Sequence, residues 1–478
     1  MAFWNRRKSL DFVEPHVEGR ALTRTLGWPA LVAMGVGAII GTGIYTLTGI
    51  GAGLAGPAVI LSFLIAGLVC ACVAFCYSEM ATLMPASGSA YTYSYAVLGE
   101  LVAWVIGWSL ILEYTLVCSA VSVGWAGYLV GALKSVGLVL PLALTAGPHA
   151  GGLVNLPAVL ITLAVGGLLI LGTRESARVN FVLVVIKLAA LALFLALTLP
   201  VFQPAHFQPF MPNGFIGHVG PDGTKVGVMT AASIVFFAFY GFDAISTASE
   251  ECKNPQRDLK IGIIGSMFLC TALYIVVTVA AVGASPIPVF SKSGEPLAFI
   301  LRSFGHPLAA VLIAGAAVVA LPSVIMVFMY GQSRVFFAMA RDGLMPAWLA
   351  KVHPRFGTPA LVTAFTAVIA AAVGGFFPLD EIASLANAGT LAAFVAVALC
   401  MLILRFTRPD RERVFRAPVG KLMAPLAIAG CLYLFLNLSE KTILFFFAWN
   451  AIGVVVYLLW ARRNSRLGLS LAPAIQQP

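Results

Sequence analysis

Stretches of about 20 apolar residues recur from Trp28 almost to the C-terminus with no long polar linker between them, and this repetition decides what the chain can become. A hydrocarbon core is about 30 Å thick and an α-helix rises about 1.5 Å per residue, so each stretch can cross a bilayer once. Backbone inside lipid must satisfy its own N–H and C=O groups, which leaves the helix as the spanning element for runs of this length. Composition agrees, with 60% hydrophobic residues and 10% charged, too few charges to clothe a water-facing surface. The chain reads as a single all-α integral membrane protein.

Twelve transmembrane helices are expected, near residues 28–55, 57–83, 94–131, 152–172, 178–200, 227–250, 260–284, 306–333, 358–376, 382–405, 422–438 and 441–461. An even number puts both termini on one side. If that side is the cytoplasm, 23 of the 29 lysines and arginines face it, 5 face the other side, and Lys187 lies within a helix. The positive-inside rule therefore gives cytoplasmic termini in a cell (inner) membrane. The net charge of +10 then marks topology, with Arg408, Arg411, Arg413 and Arg416 facing headgroups, and no nucleic-acid partner is called for. No apolar stretch precedes Trp28, so no removed signal peptide is expected. The eight cysteines match no zinc spacing and read as small hydrophobes.

Two spans are defective as plain helices. Gly35, Gly37, Gly41 and Gly43 punctuate the first, and Gly241 with Asp243 interrupts the sixth. Glycine-interrupted spans five places apart fit a five-plus-five inverted repeat with a binding site at the bilayer midplane. The organisation expected is a cytoplasmic segment 1–27, a first repeat 28–200, a second repeat 201–405, two extra C-terminal helices in 406–461 and a cytoplasmic tail 462–478.

GAIIGTGIY at 37–45 and FFAFYGFDAIST at 236–247 resemble the broken helices 1 and 6 of the amino acid, polyamine and organocation transporters. GWSLILEY at 107–114, RESARVN at 174–180, EECKNPQRDLK at 250–260, YGQSRVFFAMARDGLMP at 330–346 and VHPRFGTP at 352–359 are similar to the cationic amino acid transporter branch, as in a bacterial member. The resemblance spans nearly the whole chain and implies alternating-access transport of free amino acids by the twelve-helix fold.

An amino acid zwitterion in hydrocarbon needs partners for both charges. The half-helix starting near Thr42 offers free amides at Gly41, Thr42 and Gly43 and a positive dipole end for a carboxylate. Carbonyls freed at the break suit an ammonium group, and by resemblance they belong to Ile39, Phe237 and Tyr240. Phe237 and Tyr240 are also expected as aromatic covers, with Val117 on helix 3 and Met326 on helix 8 as pocket walls. No acidic side chain clearly faces the pocket, so small neutral L-amino acids are the expected cargo, the range left open to broad or cationic ones.

Lys187 lies nine residues after Arg178, which puts it roughly 13 Å into the core, beyond easy snorkelling. It is the leading proton-coupling candidate. By resemblance its ammonium fills the place of a sodium ion between helices 1, 5 and 8 and touches carbonyls of helix 1 and Ser323, which implies proton coupling with no metal or other cofactor. Glu113 and Asp243 are further proton-relay candidates, each with a structural alternative. Glu79 reads as structural or as part of an inner gate, and Glu250, Glu251, Lys253, Arg257 and Asp258 as a cytoplasmic salt-bridge gate facing Arg334, Arg341 and Asp342.

An enzyme is not expected, since no nucleophile stands with a base. Five histidines, His16, His149, His206, His218 and His353, fall outside the apolar segments and His306 sits at the edge of one, so no metal site is expected. A channel would need a continuous polar pore. Proton-coupled symport into the cell is the expected activity, with amino acid exchange as the alternative. Nothing in the sequence fixes the oligomeric state, and a monomer suffices for the site.

Overall fold

The computed structural model describes residues 6–9, 26–85, 88–135, 137–171, 177–220, 223–249, 252–351, 353 and 358–470. Among these, eight helices are long and apolar enough to cross a membrane, and Leu156–Ile170, Ala360–Phe376 and Gly420–Leu436 are shorter apolar ones. Trp28–Leu83 runs through 56 residues as two legs joined at Gly56, whose φ of +68° is strained for any residue with a Cβ. Pro57, next in sequence, has no N–H with which to continue the first leg.

Helix ends depart from the apolar runs where capping or solvation takes over from hydrophobicity. Residues 94–97 belong to a separate helix, Ser89–Val97, closed before Gly99 at φ +105°, and the third span is Glu100–Ser135. The seventh begins at Pro255, where the Asn254 side chain accepts from the Arg257 N–H and Asp258 accepts from the Asn254 N–H, both at 3.3 Å. That reciprocal cap holds the helix start well before its apolar stretch. The eighth runs from Pro307 to Arg341, jointed at Leu321–Pro322. Its last turns carry Arg334 and Arg341 past the apolar run, because hydropathy marks where lipid ends and not where the helix does. A small antiparallel hairpin, His218–Val219 with Lys225–Val226, precedes the sixth span and departs from a purely helical chain.

Spans five places apart pack against each other: Val59–Leu83 on Pro255–Ala284, Glu100–Ser135 on Pro322–Arg341, Leu156–Ile170 on Ala360–Phe376, and Trp28–Ile39 on Phe242–Thr247. Small residues permit the approach, since a Cβ at Gly67 would stand 2.7 Å from Thr271 Cγ2 and one at Gly166 2.5 Å from Ala367 Cβ.

At one end of the bundle Glu79, 1% exposed, ties the second span to the tenth and to the loop beyond it. Its carboxylate accepts from Arg405 at 2.5 and 3.1 Å and from the Ala417 N–H at 2.8 Å, with Arg413 Nε 3.1 Å away. Arg413, expected among the headgroup-facing cations, is 3% exposed and turned inward. A buried carboxylate draws the guanidinium out of the interface.

Candidate functional site

The first span breaks after Ile39. Ile40 leaves the helix at φ −73°, ψ 89°, and the chain restarts through a π-helical turn, Gly43–Leu47, into Thr48–Ala55. The opening N–H groups of a helix have no partner within it, so Gly41, Thr42 and Gly43 stand where such donors are presented. The sixth span runs as Val228–Val235, tightens into Phe236–Ala238, and restarts at Phe242 after Gly241, whose φ is +122°. Carbonyls left at the end of its first leg are taken up by Asn387, whose amide donates to Ser233 at 2.6 Å and Ile234 at 3.2 Å.

The two breaks touch. A Cβ on Gly43 would lie 2.3 Å from Ala238 Cα, and one on Gly241 would lie 3.0 Å from the Ala38 carbonyl carbon. Each glycine thus lets one turn rest on the backbone of the other.

A cavity of about 10 Å³, the room of roughly one water, lies in this crossing. Ile39, Gly41, Thr42, Gly43, Phe237, Tyr240 and Val117 line it, with Ala38, Val121, Val324 and Phe328. Met326 does not line it. Residues 324 and 328 share a helix face, and 326, about 200° round from each, points elsewhere. Val121 was within reach of sequence reasoning, one turn beyond Val117 on the same face.

Polar atoms at the crossing are left without partners among the described residues. Thr42 Oγ1, Thr46 Oγ1 and the Tyr240 hydroxyl are buried and make no hydrogen bond. Buried polar groups are nearly always bonded, and two of these three atoms, on Thr42 and Tyr240, belong to residues that line the cavity. The Ile39 carbonyl already accepts from the Tyr274 hydroxyl at 2.6 Å, which leaves it one lone pair for a further donor.

Lys187 is fully buried, and its Nζ donates to the Gly37 carbonyl at 2.7 Å and to Ser323 Oγ at 3.2 Å. The Lys187 amine therefore bridges the fifth span to the first and eighth. Gly37 is the acceptor because the helix loosens toward the break, where carbonyls lose their i+4 donors. Two tyrosines absent from the sequence reading brace the same segment: Tyr128 donates to the Tyr45 carbonyl at 2.5 Å, and Tyr45 to the Lys187 carbonyl at 3.2 Å.

Glu113 is fully buried, and neither carboxyl oxygen has a hydrogen-bond partner among the described residues. Asp243, 1% exposed, accepts from the Gly241 N–H at 2.9 Å and from the Tyr114 hydroxyl at 3.3 Å. From the first turn of the restarted helix it reaches back to the N–H of Gly241, the residue before that helix.

Of the residues assigned to a cytoplasmic gate, Glu250 and Glu251 lie outside the described residues. Asp258 caps its own helix, Arg334 stacks on Tyr330, and Arg341 lies over Phe337. Asp342 pairs instead with Lys8 of the N-terminal segment at 2.5 Å and accepts from Tyr91 at 2.6 Å. Burial lowers the Lys8 pKa and Asp342 opposes the shift.

The amino acid permease family model matches residues 26–459. Over 467 residues the chain is 46% identical to a branched-chain amino acid permease of Bacillus subtilis, covering 97% of this chain and 98% of the relative. It is 41% identical to a methylthioribose transporter of the same organism, covering 97% and 98%. It is 38% identical to a vacuolar cationic amino acid transporter of Arabidopsis thaliana, covering 85% of this chain and 64% of that one.

Proposed function

This chain belongs to the amino acid permease family, and from that premise we propose that it is a proton-coupled symporter carrying L-amino acids with small or branched apolar side chains into the cell by alternating access. The observation that carries the reading is the crossing of two broken helices beside the buried Lys187 side chain. Amides at Thr42 and Gly43 meet a carboxylate, and carbonyls at Ile39, Phe237 and Tyr240 meet an ammonium. The side chain then faces Val117, Val121, Val324 and Phe328, an apolar wall without an acid to hold a cationic side chain.

The twelve-helix, five-plus-five reading draws support from the pairing of spans five places apart. Cytoplasmic termini in a bacterial inner membrane rest on the lysine and arginine distribution. Protonated Lys187 braces the broken first span against the eighth, and its deprotonation frees that span to move. The cavity is too small for an amino acid, so the walls must part for loading and close again around the cargo.

The test is uptake of labelled leucine into proteoliposomes that contain no amino acid, under an imposed inside-alkaline gradient. Accumulation above the external concentration is the expected result. Entry that occurs only when the lumen is preloaded with amino acid would make the protein an exchanger. A thermal-shift screen covers the cargo class: leucine and valine should stabilise the protein, and stabilisation by methylthioribose alone would remove the carboxylate from the scheme.

A further inference from the structure

The face of the third span that carries Val117 and Val121 continues to Gly124, which is buried but does not line the cavity. What Gly124 touches is Thr42. A Cβ at position 124 would stand 2.1 Å from Thr42 Cγ2 and 2.9 Å from Thr42 Cβ. Only a glycine leaves that space, so the Thr42 methyl is seated in a notch on the third span. Cγ2 and Oγ1 share one carbon, and a side chain held by its methyl has a fixed χ1 and therefore a fixed hydroxyl.

That hydroxyl serves neither of the uses a threonine ordinarily finds at a helix start. Thr42 is the cap of the turn Gly43–Leu47, yet its side chain makes no cap hydrogen bond, because its φ of −57° and ψ of −19° are helical where a capping residue is extended. The other acceptor within reach of a helical threonine is the carbonyl four residues back. Here that is Ala38, which lies across the break at Ile40 and rests against Gly241. Thr42 is fully buried, and its Oγ1 makes no hydrogen bond among the described residues, while the residue itself lines the cavity. A buried hydroxyl left unbonded costs free energy that a valine of the same shape would avoid.

We propose that Gly124 is a positioning residue for the transported molecule: by seating the Thr42 methyl, it holds the Thr42 hydroxyl ready to donate to the carboxylate that the Thr42 and Gly43 amides receive. The assignment rests on the amino acid reading above and adds a third donor to the same pair of oxygens. Gly124 itself touches no substrate.

The test measures leucine affinity by calorimetry, and the ligand-free unfolding midpoint, on the full-length protein and three variants. Gly124→Ala should bind leucine about tenfold or more weakly, since Thr42 must retreat by the difference between 3.4 and 2.1 Å, roughly 1.3 Å. Adding Thr42→Ser removes Cγ2 and leaves Cβ as the nearest atom, so the double variant should recover about threefold or more of that loss. Thr42→Val keeps the shape and lacks the hydroxyl. It should bind leucine about tenfold or more weakly while its midpoint holds or rises. Should Gly124→Ala not fold, recovery of folding by Thr42→Ser reports the same notch, and Thr42→Val reads the hydroxyl. Wild-type affinity in Gly124→Ala, no recovery in the double variant of either folding or affinity, or wild-type affinity in Thr42→Val would each overturn the proposal. Unsubstituted protein that binds no amino acid would sink the transport reading itself, and this proposal with it.

Discussion

Gly43→Ala is the substitution that isolates the contact between the two breaks. The added Cβ would stand 2.3 Å from Ala238 Cα and 2.4 Å from its Cβ, where ordinary contact begins at 3.4 Å. The turns must therefore part by the difference between 3.4 and 2.3 Å, roughly 1 Å, and the obstructing atom is backbone with no rotamer to swing aside. Overpacking of this kind costs about 1–3 kcal/mol. If that cost falls on the loaded state, affinity drops roughly 5- to 140-fold. Gly53→Ala is the matched control, because a Cβ there meets Ser291 Cβ at 3.4 Å and the helix gains up to about 1 kcal/mol of propensity. The assay is the unfolding midpoint together with leucine affinity by calorimetry, measured on both variants. A Gly43→Ala protein as stable and as tight-binding as Gly53→Ala would refute the argument that the breaks bear directly on each other.

Lys187→Met should bind leucine while losing uphill uptake. One proton per substrate allows about tenfold accumulation per pH unit of gradient, and the variant should level at equality. Glu79→Gln leaves Arg405 and Arg413 facing an uncharged amide and should cost about 3–5 kcal/mol, read as a collapse of the unfolding midpoint or of folded yield. Burial raises the Glu295 pKa against the opposing pull of Arg302. The folded chain thus holds a proton that the unfolded chain releases, so stability is fully present below pH ~4.5 and is lost as pH rises through the elevated folded value. A midpoint-versus-pH profile that keeps its slope in Glu295→Gln would contradict this.

What the sequence made legible follows from the solvent each residue must face. Lipid imposes a length on every span, so the apolar runs were readable, and so were the interruptions at Gly41 and Gly241, since broken helices in hydrocarbon need an unusual reason. The depth of Lys187 came from counting along one helix. Side-chain phase and partner were harder. Met326 and Val324 differ by two positions, and no hydropathy value says which faces the crossing. Arg413 counted as one more cytoplasmic cation, since charge predicts a side of the membrane and says nothing of a buried partner such as Glu79. Tyr45, Tyr128 and Tyr274 went unseen for a related reason: each acts through one polar atom on an apolar body, among 12 tyrosines in the chain.

Those tyrosines carry a consequence for how the first span travels. Where its own ladder is cut, that segment hangs from outside donors: a phenol at Ile39, an ammonium at Gly37 and a second phenol at Tyr45. Donors of fixed reach act like latches, so the segment cannot creep. In the alternating-access cycle proposed above, such a segment would keep one posture until several of them let go together, which favours two discrete orientations over a continuum of half-open ones.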